Sequence, residues 1–181
     1  MRELERTETL PRNGLRWNFD ATLPQLHRPP EQIYDLLTDF RRAHIIPGIT
    51  NATLIQGTER QKGAVYSCTF AFKRGFLSLG TAAELEVTHA QPPLSAGAII
   101  RDASLDGILQ VSAQGCWNIE KGTNGGNDLH FHGQGSIAGH GISMFERLIR
   151  QILAVEIEKA LFNMEREINS PQPIQMLLRN T

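Results

Sequence analysis

At 181 residues, with 40% hydrophobic and 20% charged side chains, the chain has the length and composition of one globular domain that can bury a core. A formal net charge of −1, with only Arg41-Arg42 and Lys73-Arg74 as adjacent basic pairs, provides no field to draw it to nucleic acid. The charged start, Met1 to Glu8, lacks the apolar run of a signal peptide, and no stretch approaches the roughly 18 apolar residues of a spanning helix. The expected location is therefore cytoplasmic, with at most transient contact at a membrane surface.

Residues 1–13 are polar and aperiodic and read as a flexible N-terminal arm. The folded domain is expected over 14–169, with a C-terminal tail over 170–181. From 15 to 25, Leu15, Trp17, Phe19, Ala21 and Leu23 alternate with polar residues, as in a half-buried strand. Pro29-Pro30-Glu31 opens a helix, because proline lacks the N–H that has no partner in the first turn. Ile33, Leu36, Leu37 and Phe40 give that helix one apolar face. Asp39 is placed to cap a second short helix running to Ile45, which Pro47-Gly48 stops. Extended segments are then expected over 52–57, 64–73, 76–89, 96–103 and 108–121, and again after the 122–127 turn. Residues 143–168 contain no Gly or Pro and place Phe145 to Ile168 on one broad apolar stripe. At 1.5 Å per residue this helix would span about 39 Å, enough to cross a sheet.

The order predicts an α+β fold: a curved seven-stranded antiparallel sheet around a long C-terminal helix, with two short helices after strand 1. Ala82, Ala83, Ala98, Ala113, Gly115, Gly133 and Gly135 are small residues expected on the facing surface, where they allow bending or leave room. Interiors seldom keep large volumes empty, so a hollow here would point to a ligand.

Several local patterns carry a resemblance. Pro29, Ile33, Tyr34, Leu37 and Asp39 fit a P-x-x-x-V-W-x-x-L-x-D helix, Pro47-Gly48 fits the proline that closes the following helix, and Gly115-Cys116-Trp117 fits a Gly-x-Trp strand. This ordered set, over residues 15–168, resembles the SRPBCC (START-like, helix-grip) superfamily. The Gly-x-Trp is similar to the Coq10-type and oligoketide-cyclase branch. Ile46-Pro47-Gly48, and Glu84 to Val87 ahead of Pro92-Pro93, are similar to the branch named for carbon monoxide dehydrogenase. The resemblance implies binding or transport of a hydrophobic small molecule: a lipid, an isoprenoid quinone or a polyketide-like compound. The alternatives it implies are a polyketide cyclase or aromatase with cyclase/dehydratase chemistry, and an accessory protein assisting assembly of an enzyme complex.

The candidate lining of such a cavity is Tyr66, Phe70, Phe72, Leu85, Trp117 and Phe131 from the strands, with Phe145, Ile149, Ile152 and Glu156 from the last helix; plain core packing is the alternative for each. Asp102, near Arg101 and Asp106, could orient a polar head group or face water. Glu156, at the stripe's edge, could act as acid or base or sit at the rim. His130 and His132 share one strand face but lack an obvious third ligand, so they read as solvated; His140 is the nearest further imidazole. Gly139 to Ser143 lacks the spacing of a nucleophile elbow. No motif calls for a cofactor or a metal. Cys68 and Cys116 read as two small buried residues, bridged only if their strands are neighbours.

Overall fold

The computed structural model describes residues 9–10, 14–40, 49–74, 77–105, 109–139 and 142–170. One antiparallel sheet contains β1 (Thr9–Leu10), β2 (Gly14–Leu26), β3 (Ile49–Gln56), β4 (Val65–Arg74), β5 (Leu77–Gln91), β6 (Ser95–Leu105), β7 (Leu109–Lys121) and β8 (Asn127–Gly139). Their spatial order is β1-β2-β8-β7-β6-β5-β4-β3. Strands β3 to β8 form a meander whose last strand returns to pair with β2. Helix α1 (Pro30–Thr38) follows β2, and helix α2 (Ile142–Asn169) follows β8. This is the expected helix-grip architecture: seven long strands, one short helix after β2 and a long final helix.

The strands form for the reason their sequences suggest, with alternate residues meeting core and water. On β7, Val111, Trp117 and Ile119 are buried while Ser112, Gln114, Cys116 and Asn118 are exposed. Register slips at Leu23–Leu26, Thr50–Thr53, Val87–His89 and Ile100–Ala103 interrupt the ladders. Such bulges bend strands and increase their twist, which curves the sheet. At the β7–β8 turn, Gly125 takes φ +83, a conformation that disfavours any residue with a Cβ.

Helix α1 starts on Pro30 and buries Ile33, Tyr34, Leu36 and Leu37. Its last turn is tightened by Thr38, whose hydroxyl donates to the Tyr34 carbonyl at 2.8 Å. Asp39 stands at the C-terminal end of α1; the short helix expected through Ile45 lies outside the described residues. Thr9–Leu10 pairs with Leu15 and Gly14 as a short edge strand.

Helix α2 has 28 residues, about 42 Å of helix. It buries Ile142, Ile152, Leu153, Ile157, Ala160, Leu161, Met164 and Ile168 against the sheet. The Arg28 guanidinium donates to the Ser170 carbonyl and ties the end of this helix to the chain between β2 and α1. No helix among the described residues is long and apolar enough to cross a membrane.

The two cysteines correct the expectation of a buried pair. Cys68 is buried on β4, where its thiol donates to the Ala83 carbonyl at 3.4 Å. Cys116 is exposed, because the period of two that buries Trp117 turns its neighbour to the outer face. Both are free, and β4 and β7 are not adjacent. Ala82 is likewise exposed, whereas Ala83 faces the core.

Candidate functional site

Between α2 and the concave face of β6, β7, β8 and β2 lies a cavity of about 160 Å³, walled almost entirely by apolar atoms. Its floor follows from the cross-strand register. One row joins Ala98 on β6, Gly115 on β7, Gly133 on β8 and Phe19 on β2. The next joins Ile100, Ala113, Gly135 and Trp17. In the first row Phe19 reaches over Gly133, while Ala98 and Gly115 carry nothing larger than a methyl group, so the sheet is bare at those two positions.

The glycines of these rows do different things. A Cβ on Gly133 would fall 2.2 Å from the Phe19 ring, and one on Gly135 would fall 2.2 Å from the Trp17 ring. Those glycines let two aromatic rings from β2 lie flat across β8. Gly115 is different: its Cβ would meet only the His132 carbonyl, at 3.6 Å. The space above Gly115 is empty.

The roof is the underside of α2. Leu153, Glu156, Ile157, Ala160, Leu161 and Met164 line the cavity at helical spacing. Phe40, after α1, and Ile49, on β3, close one side. Trp117 and Phe131, opposite one another on β7 and β8, close another, with ring centroids 6.4 Å apart and an interplanar angle of 41°. Trp117 is buried, yet its indole Nε1–H has no hydrogen-bond partner.

Of the residues singled out from the sequence, Leu85, Trp117, Phe131 and Glu156 stand together on this wall. Tyr66 does not. It is 1% exposed, meets Phe40 edge-on at 5.1 Å, and accepts a hydrogen bond from the Arg60 N–H at 3.1 Å. Ile152 is buried and Ile149 is half-buried against the core, both off the wall. The side chains of Phe70, Phe72, Asp102 and Phe145 lie outside the described residues, as do Asp106 and His140. Arg101 faces out and pairs with Glu86 at 3.0 Å. Sequence reasoning missed Trp17, Phe19 and Met164 as wall residues, although each lies on an apolar face that the periodicity marks. The missing information was register, which sets an aromatic opposite a glycine.

One carboxylate borders the cavity, and the strand histidines pair on the outer face. Glu156 is the carboxylate on the wall among the described residues, and Lys159 holds it at 2.7 Å, one turn away on α2. His130 and His132 point to the convex side. There His130 Nδ1 meets the Thr22 hydroxyl at 3.1 Å, and His132 Nδ1 meets Asp20 at 2.8 Å. Among the described residues no group of three or more His, Cys, Asp or Glu side chains is placed to hold a metal.

No protein-family model matches the chain, and no curated protein matches it in sequence. Solved structures do match in shape. A conserved protein from Geobacillus kaustophilus superposes with a TM-score of 0.61 at 18% identity, over 86% of this chain and 94% of that one. The di-domain ARO/CYC BexL from the BE-7585A biosynthetic pathway gives 0.58 at 13% identity, over 87% of this chain and 51% of that one. Ara h 8.0201 gives 0.52 at 12% identity, over 84% and 97%. At these identities the likeness is one of fold.

Proposed function

We propose that the chain binds a hydrophobic small molecule in the cavity beneath α2. The observation that carries this reading is the bare floor. Ala98 and Gly115 stand side by side in one row where larger residues would complete a core. A well-packed interior gains dispersion and burial energy from filling such space, so keeping it open has a use. Apolar surface buried on a ligand contributes about 25 cal/mol per Å² before the losses of association.

The test is uptake. The protein purified from its native source, extracted with organic solvent, should release a hydrophobic compound detectable by mass spectrometry. Toluene at about 100 times its dissociation constant should stabilise the empty protein by about 2.7 kcal/mol, read as a rise in Tm. Nothing extracted and no rise in Tm would refute the proposal.

One observation favours a second reading, an aromatase/cyclase type of enzyme. Glu156 places a carboxylate on the wall, and the ARO/CYC BexL shares the fold. On that reading Glu156→Gln abolishes turnover of a polyketide-like substrate and leaves its binding intact. Unchanged turnover would remove Glu156 from the chemistry.

A further inference from the structure

Large apolar side chains that face water occur singly on most protein surfaces and mean little there. Here four of the seven exposed ones among the described residues, Met144, Leu148, Val155 and Phe162, stand on α2. Their spacing of four, seven and seven residues keeps them within a narrow arc of a helix with 3.6 residues per turn. They form one line on the side of α2 opposite Leu153, Ile157 and Met164, which face the cavity. Met144 is 82% exposed and Phe162 58%, and a contiguous apolar line of this kind marks an interaction surface.

The polar residues beside the line choose the partner. One edge carries Arg147, Gln151, Glu158 and Glu165 in turn, and Arg166 continues the line itself beyond Phe162. Both signs of charge along one edge do not suit an anionic membrane, which takes a basic border. They do suit a second α2 running the other way. With Val155 set against its own copy, an antiparallel pair places Leu148 against Phe162 and Met144 against the stem of Arg166. The same alignment brings Arg147 beside Glu165 of the second copy and Gln151 beside its Glu158, and the two-fold axis repeats both pairs. Edge pairs like these set orientation where two helices meet. A parallel pair would instead bring Arg166 against Arg166, and such like-charge contacts are unfavourable.

We propose that two copies of this chain associate through the outer face of α2, antiparallel about a two-fold axis at Val155. The contact is isologous, so it closes at two copies. From Met144 to Arg166 the face is about 33 Å long and about 10 Å wide. Pairing it with its copy buries on the order of 1,000 Å², the lower bound for a specific interface, so the dimer is reversible. The association is independent of cavity binding, which uses the other side of the helix.

Sedimentation velocity of the purified chain at several hundred micromolar should show a dimer that dissociates on dilution. Phe162→Glu, a change at an exposed position, should leave the circular dichroism unchanged and raise the dissociation constant at least about thirtyfold. In a Cys116→Ser background, which leaves only the buried Cys68, a short bis-maleimide should link Val155→Cys to its own copy. It should also link Leu148→Cys to Phe162→Cys in a mixture, and neither of those to itself. Self-linking at Leu148→Cys would overturn the antiparallel register, and a dimer untouched by Phe162→Glu would overturn the face. A chain that stays monomeric at every concentration would overturn the proposal outright, and two further results would name the true cover. Flotation with phosphatidylcholine vesicles, lost in Phe162→Glu, would give the face to a lipid surface. A monomer that pairs only once residues 171–181 are removed would give it to the chain's own C-terminal end.

Discussion

Tyr66 and Trp117 are both large aromatic residues buried in mid-strand, and they stand in opposite conditions. Tyr66 on β4 is wrapped on all sides; its ring meets Phe40 and its hydroxyl is paired with the Arg60 N–H. Trp117 on β7 borders empty space, and its N–H is unpaired. One half of the concave face is thus finished as a core and the other is left open. The difference comes from neighbours rather than from the residues themselves. Tyr66 lies between Leu54 and Leu85 in the ladder, whereas the strand position two residues from Trp117 is Gly115.

The comparison breaks most readily at its packed end. Tyr66→Ala should cost about 3–5 kcal/mol of stability, as large-to-small changes in filled cores do, and denaturant unfolding measures it. A cost below about 1 kcal/mol would mean that this half is also loose. Next in size is Gly133→Val. Its side chain must displace the Phe19 ring, and overpacking of that kind costs about 1–3 kcal/mol. Gly115→Val, in the same cross-strand row, should have the opposite sign. It enters open space and replaces a flexible glycine in a strand, so stability should rise by about 0.5–1 kcal/mol while toluene binding disappears. Two glycines that respond alike would erase the distinction between floor and support.

Two smaller effects use the cysteines, one on each face. Burial pushes the Cys68 thiol above its ordinary value. The native thiol therefore keeps its proton after the unfolded chain begins to lose it, at about pH 8.5. Above that pH the unfolded state binds fewer protons than the native state, so stability falls as pH rises. Tyr34, also raised chiefly by burial, adds to the fall at still higher pH. The stability difference between wild type and Cys68→Ala, fully present at pH 7, should narrow by pH 9.5 in matched unfolding curves. A constant difference would contradict the burial of that thiol. A thiol reagent should also modify Cys116 quickly in the native protein and reach Cys68 only on unfolding.

Much of this architecture was legible in the sequence because it rests on local periods. Strand alternation from Leu15 to Leu23, and the stripe from Ile152 to Ile168, are short-range facts that packing then confirms, whereas Leu148, placed on the same stripe, is exposed. The small residues Ala98, Ala113 and Gly115 marked the floor for the same reason. What could not be read is what register decides. Nothing near Gly133 in the sequence says that Phe19, more than a hundred positions away, lies across it. Nothing near Tyr66 says that Phe40 fills the space in front of it. The exposed Cys116 shows the same limit: composition suggested burial, and the period of two along β7 decided otherwise.

The claim on which the account stands is that a dry, unfilled space lies between α2 and the floor at Gly115. Xenon enters apolar cavities of this size. A crystal structure determined under xenon pressure tests the claim directly. The account predicts a xenon atom bounded by Gly115, Trp117 and Ile157 with the backbone unmoved. A structure in which α2 side chains rest on Gly115 and no xenon lies beneath the helix would contradict it.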